Sequence, residues 1–152
     1  MKVKLLRQIQ NHILANPKEL NMNVVAQNIE GAAIAKEFTP GAPCGTACCF
    51  DGLAQMFSGR IKPGLDYAGN NIHFVIYDPD FKVGAEILGL TSIQAERLFE
   101  PPRDTVDDED AIGWPWEYAE AYVLAEERGD YVRAAQVAFD RIEHFIRTNG
   151  EE

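Results

Sequence analysis

The sequence predicts a mainly α fold, a single compact domain over residues 1–152 built from roughly six or seven helices with at most a minor strand element. Three observations carry that expectation. Apolar residues recur at spacings of three and four at both ends of the chain. Stop signals such as Asn16-Pro17, Ser58-Gly59, Gly129 and Asn149-Gly150 divide the chain into helix-length pieces. Only one stretch, His73-Phe74-Val75-Ile76-Tyr77, concentrates β-prone residues, so the minor strand is expected near 73–77.

At the N-terminal end Val3, Leu6, Ile9 and Ile13 form the stripe of an amphipathic helix, widened by Leu14. Asn16-Pro17 ends it, because a residue before proline avoids the α region. Within residues 18–36 the pattern is ambiguous, with Asn21–Val25 suited to extended chain and Ile29–Ala35 to a short helix broken by Gly31. Thr39-Pro40-Gly41-Ala42-Pro43 is a turn that leads into an apolar segment, expected as a helix from about Cys44 or Gly45 to Phe57. Residues 59–71 form a loop rich in glycine and asparagine. Asp78-Pro79 is an N-cap with proline at the first helical position, opening a helix through Phe81, Val83, Ala85 and Leu88 to Gly89. Thr91-Ser92-Ile93-Gln94 fits a capping box for a helix that stops before Pro101-Pro102. After an acidic, turn-like stretch, Trp114-Pro115-Trp116 restarts order, with a helix through Tyr118, Ala121, Tyr122 and Ala125. Asp130 caps the last helix, whose expected stripe is Val132, Ala135, Phe139, Ile142 and Ile146.

Charge narrows the function classes. A net charge of −10 repels phosphate, so neither nucleic acid nor an anionic membrane surface is expected as a partner. No apolar run approaches the roughly 18 residues a membrane helix needs, and the residues Met1–Gln8 lack the apolar region and cleavage site of a signal peptide. All three cysteines fall within Cys44–Cys49, which is no disulfide framework, and a cytoplasmic location is expected.

Several motifs combine into one resemblance. Cys44-Gly45-Thr46 with Cys49, Gly52 and Ala54 fits a Cys-Gly-Thr-x-Ala-Cys-x-Ala-Gly pattern followed by an apolar helix. Gly89-Leu90-Thr91 with Gln94-Ala95-Glu96-Arg97-Leu98-Phe99 fits a later Gly-Leu-Thr-x-x-Gln-Ala-x-Arg-Leu-Phe segment. Trp114-Pro115 and Arg141-Ile142-Glu143-His144-Phe145-Ile146-Arg147-Thr148 complete it. The chain thereby resembles a family of small bacterial and phage proteins that brings no settled activity, and the resemblance implies a helical fold. Cys48 and Asp51 depart from it, standing where the family pattern has alanine.

Function is weighed at the cysteine segment. A thiol in the first turn of a helix meets unpaired N–H groups and the positive end of the dipole, which favours thiolate. With the helix starting at Cys44, that residue is the candidate nucleophile, His73 the base and Asp78 its orienter, a cysteine-hydrolase arrangement. Against it, such enzymes rest on a multi-stranded sheet. A thiol pair is disfavoured because Cys44 and Cys49, five apart, would sit about 140° apart around a helix. Three cysteines and His73 match zinc's ligand count on paper but supply no second close pair, so neither a metal nor any other cofactor is expected. Asp104, Asp107, Asp108, Glu109 and Asp110 lack calcium-loop spacing and read as a solvated loop. The leading expectation is a non-enzymatic helical module that binds another protein or itself, with the Trp114–Tyr122 aromatics as a candidate surface. The cysteine-dependent enzyme is the alternative.

Overall fold

The computed structural model describes residues 1–65, 79–100 and 113–151. Among these residues the chain is predominantly helical and compact, with six α-helices and one two-stranded sheet. The elements are α1 (Val3–Ala15), a 3-10 turn at Pro17–Glu19, β1 (Ala26–Asn28), β2 (Thr46–Cys48) and α2 (Phe50–Phe57). A second 3-10 turn (Pro79–Phe81), α3 (Lys82–Leu88), α4 (Ser92–Phe99), α5 (Trp116–Glu127) and α6 (Tyr131–Arg147) follow.

The helix punctuation at α4 and α6 behaves as the residue types require, whereas the helix expected to open at Asp78-Pro79 starts only at Lys82, after Asp80 and Phe81 in left-handed conformations (φ +58° and +53°). Gln94 N–H donates to Thr91 Oγ1 (3.2 Å) and Thr91 N–H to Gln94 Oε1 (3.0 Å), a complete capping box. Asp130 Oδ1 accepts from Arg133 N–H at 3.0 Å and starts α6. The faces differ from expectation in detail. On α1, Leu6, Ile9, Gln10, His12 and Ile13 are buried, whereas Val3 and Leu14 at the margins stay exposed. On α6 the buried residues are Ala134, Ala135, Val137, Ala138, Arg141, Ile142 and Phe145, and Val132 projects into solvent. α6 packs against α5 and α1, with three alanines among its buried residues.

Two expectations are corrected. The cysteine segment does not begin a helix at Cys44. Thr46–Cys48 pairs antiparallel with Ala26–Asn28, in the register Ala26↔Cys48, Gln27↔Ala47 and Asn28↔Thr46, and α2 starts only at Phe50. Residues Ile29–Ala35 form no helix; Ile29 N–H and Ala35 N–H bond instead to the Gly45 and Cys44 carbonyls (3.0 and 3.1 Å). The strand expected near 73–77 lies outside the described residues, and the sheet that is seen lies at 26–28 and 46–48.

The core joins the first and last helices. Arg7 pairs with Glu143 (Nη2 to Oε1 2.9 Å), and Gln10 Nε2 donates to the Phe139 carbonyl at 2.9 Å. Trp114 is buried, stacks on Phe50 (ring centroids 5.6 Å apart) and donates its indole N–H to Leu98 O at 2.9 Å. Its polar edge is thus satisfied where its ring caps the core.

Candidate functional site

Glu19 is the centre of a buried polar cluster. It ends the 3-10 turn that Pro17 imposes after α1, and that turn aims its carboxylate inward, beside His12 on the preceding helix. Four donors converge on the two oxygens. Oε1 accepts from Cys44 N–H (2.5 Å) and Gly45 N–H (2.8 Å); Oε2 faces His12 Nε2 (3.1 Å) and the Cys44 thiol (3.2 Å). Gly45 has φ +76°, a left-handed conformation that turns two successive N–H groups toward one anion, and a Cβ there would collide with the Ala33 carbonyl oxygen.

His12 is fixed from its other side. Gly41 N–H points at Nδ1 from 3.2 Å, and the Asn16 amide lies 3.5 Å from the same atom while bonding the His12 carbonyl at 3.2 Å. A backbone N–H can only donate, so Nδ1 is the acceptor and the ring proton sits on Nε2, directed at Glu19. Phe38 and Phe57 pack against the imidazole with centroids at 5.1 and 5.9 Å. Thr46, next in the motif, accepts from Gly64 N–H at 2.8 Å. Gly52 lets α2 approach β1's lead-in so closely that any Cβ would overlap the Val25 carbonyl oxygen.

The electrostatics follow from burial and donors. Burial alone would raise the Glu19 carboxyl, but the bonds from His12, Gly45, Cys44 N–H and the Cys44 thiol outweigh it and hold it below 4.5. Cys44 is 1% exposed, and its thiol is pushed up to about 12, chiefly by burial and then by the neighbouring Glu19 charge, against an opposing bond to Thr46. Cys49, the residue that does lie at the N-terminus of α2, is also pushed up to about 12, by burial and then by Asp51. Burial raises Cys48 as well. The Cys44 sulfur is therefore a hydrogen-bond donor to a carboxylate, with its Sγ also 3.6 Å from Thr46 O and 4.0 Å from Met56 Sδ. A thiol in that state is a weak nucleophile.

Of the three candidate catalytic residues, Cys44 is placed here, while His73 and Asp78 lie outside the described residues, as does the acidic run 104–110. Cys44's expected position in a helical first turn is overturned, since it precedes a strand rather than opening α2. The partners it has, His12 and Glu19, were missed. His12 left a signal: it follows Ile9 by three and adjoins Ile13, which places an imidazole on the apolar side of α1. Glu19 left none, because its contact with Cys44 spans 25 residues.

Among the described residues, His12, Glu19 and Cys44 form a cluster of metal-ligating side chains whose donor atoms all lie within 4.8 Å of one another. No described helix is long and apolar enough to cross a membrane. Comparison of the chain with protein-family models, curated proteins and solved structures finds no match.

Proposed function

We propose that this chain is a non-enzymatic helical module of the cytoplasm that binds another protein or a second copy of itself. The observation that carries the reading is the distribution of exposed apolar side chains. Among the described residues, four of the eight large ones, Trp116, Leu124, Tyr131 and Val132, belong to the α5–α6 hairpin. Val132 is 70% exposed and directly follows a half-exposed Tyr131. Large aromatics of this kind anchor protein interfaces.

The residues of the recognised motifs support it from the other side, because each has structural work. Cys44 and Gly45 hold Glu19, Thr46 holds Gly64, Gly52 permits a close crossing, and Gln94 and Arg97 bond the Asn149 and Gly150 carbonyls (both 2.8 Å). Membership of the bacterial and phage family is part of the same proposal, and so is the reducing compartment, which suits three free, buried thiols. The alternative, a hydrolase using Cys44 and His73, draws no support from a thiol that is buried and bonded to a carboxylate.

A photo-crosslinking side chain at position 132, compared with one at the exposed Glu86 of α3, tests the reading in cells. A discrete adduct at 132 that is absent at 86 is the expected result. Sedimentation velocity then separates the two kinds of partner. Self-association strengthens with salt as the −10 charge is screened. A chain that stays monomeric and gives no adduct at 132 overturns the proposal.

A further inference from the structure

We propose that His12 Nε2, Glu19 Oε2 and Cys44 Sγ form a site for a zinc-class divalent ion. The three ligand types are an imidazole, a carboxylate and a thiol, a mixture that suits zinc. Their spacing is close to what one ion requires. A tetrahedral zinc holds N, O and S ligands about 3.3–3.6 Å from one another. Here Nε2 to Oε2 is 3.1 Å, Sγ to Oε2 is 3.2 Å, and all three fall within 4.8 Å. An ion of that size needs the first two separations to open by a few tenths of an ångström and Nε2 and Sγ, now within 4.8 Å, to stand about 3.6 Å apart. Met56 Sδ, 4.0 Å from Cys44 Sγ, is within reach as a weak fourth ligand, and a water is the other candidate. The ligands come from α1, the Pro17–Glu19 turn and the segment before β2, so one ion would join three parts of the chain.

The protons balance as follows. Without metal, the Cys44 S–H and the His12 Nε2–H both point at Glu19. Metal binding releases the thiol proton to solvent and leaves a thiolate. The imidazole keeps its proton but moves it from Nε2 to Nδ1. A dipositive ion between one thiolate and one carboxylate leaves the buried site neutral overall.

The moved proton has a structural consequence. Nδ1–H needs an acceptor, yet Gly41 N–H occupies that position. Gly41 is the third residue of a turn closed by Ala42 N–H to Thr39 O (3.0 Å), with φ +83° as a type II turn requires. Rotating the Pro40–Gly41 peptide turns type II into type I and presents the Pro40 carbonyl where the N–H had been. Proline before glycine tolerates both forms. Asn16 keeps its bond to the His12 carbonyl, so the Pro40 carbonyl alone accepts the moved proton. Metal binding is thus coupled to one peptide flip.

The test uses the full chain stripped with a chelator and titrated with Co²⁺, then with Zn²⁺ as competitor. One ion per chain, a thiolate-to-cobalt charge-transfer band and release of one proton are the expected results. Cys44→Ser and His12→Gln should abolish the band, and Cys48→Ala should retain it. Circular dichroism checks that each variant is folded. X-ray absorption of the zinc-loaded wild type removes any dependence on variants: one cysteine sulfur with nitrogen and oxygen neighbours is expected, with or without a longer thioether contact. No uptake, a shell of several cysteine sulfurs, or a Gly41 amide resonance unmoved by the ion would each overturn the proposal.

Discussion

Replacing Glu19 by glutamine tests how much of this fold rests on a single carboxylate. The wild-type side chain offers only acceptors, and four donors meet it: Cys44 N–H, Gly45 N–H, His12 Nε2–H and the Cys44 thiol. Glutamine presents one oxygen and one NH2. If the oxygen stays on the two backbone groups, the NH2 faces the imidazole N–H and the thiol. If it turns, it faces the two backbone groups. Changing the imidazole tautomer does not rescue the first arrangement, since Nδ1–H would then oppose Gly41 N–H. A hydrogen bond to a charged group contributes about 1.5–3 kcal/mol, and a buried donor left unmatched costs about 1–3 kcal/mol. A net loss near 3 kcal/mol is expected, which for a chain of this length lowers Tm by roughly 6–12 °C. Thermal unfolding followed by circular dichroism at pH 7, with a chelator present so that no ion contributes, measures it. The pH dependence has a definite sign. Glu19's folded value lies below 4.5, so its stabilisation is complete above 4.5 and disappears as pH falls through the folded value. The gap between wild type and Glu19→Gln should therefore close in acid. A Tm change under about 2 °C at pH 7 would refute the reasoning.

Three further outcomes are expected. Iodoacetamide at pH 8 should label none of the three thiols of the native protein faster than the chain opens, because Cys44 and Cys49 are pushed up to about 12 and Cys48 is raised as well; rapid labelling of Cys44 alone, mapped by mass spectrometry, would restore it as a nucleophile. Gly52→Ala should destabilise by about 3 kcal/mol or more, since the added methyl overlaps Val25 O and the backbone must part; a denaturant midpoint equal to wild type would show that the crossing is looser. Glu126, which accepts from Tyr122 O–H at 3.0 Å, is raised above 4.5, chiefly by burial. An acid raised on folding reduces stability as pH climbs from its unfolded to its folded value, so Glu126→Gln should match wild type in acid and equal or exceed it in urea unfolding at pH 7.

How far the sequence could be read depended on the range of the forces involved. Thr91-Ser92-Ile93-Gln94, Asp130, Ser58-Gly59 and Gly89 mark helix boundaries through bonds made within a few residues, and each boundary stands where those residues place it. The cysteine segment failed for the opposite reason. A short apolar run suits a buried strand as well as a buried helix, and the choice was made by Ala26–Asn28, some distance away. The same holds for the site. Cys44 drew attention by composition, but its partners are set by a turn 25 residues earlier. On α6, periodicity located the helix and most of its inner side, since Ala135 and Ile142 are buried and Phe139 and Ile146 pack against the core, but Val132 is exposed and Ala134 and Ala138 are buried instead.

The contact between α1 and α6 orders events during synthesis. Leu6, Ile9 and Ile13 are fully buried, and α6 supplies part of their cover along with the Phe139 carbonyl that satisfies Gln10 and the Glu143 that meets Arg7. More than a hundred residues separate the two helices, so α1 is made well before its cover. A ribosome adding about 5–20 residues per second leaves the apolar side of α1 waiting several seconds for the helix that covers it. Until then the nascent chain carries an unprotected hydrophobic stripe, which a chaperone would cover. Deletion of α6 should leave an aggregation-prone polypeptide rather than a smaller domain, because the inner face of α1 is completed only by α6.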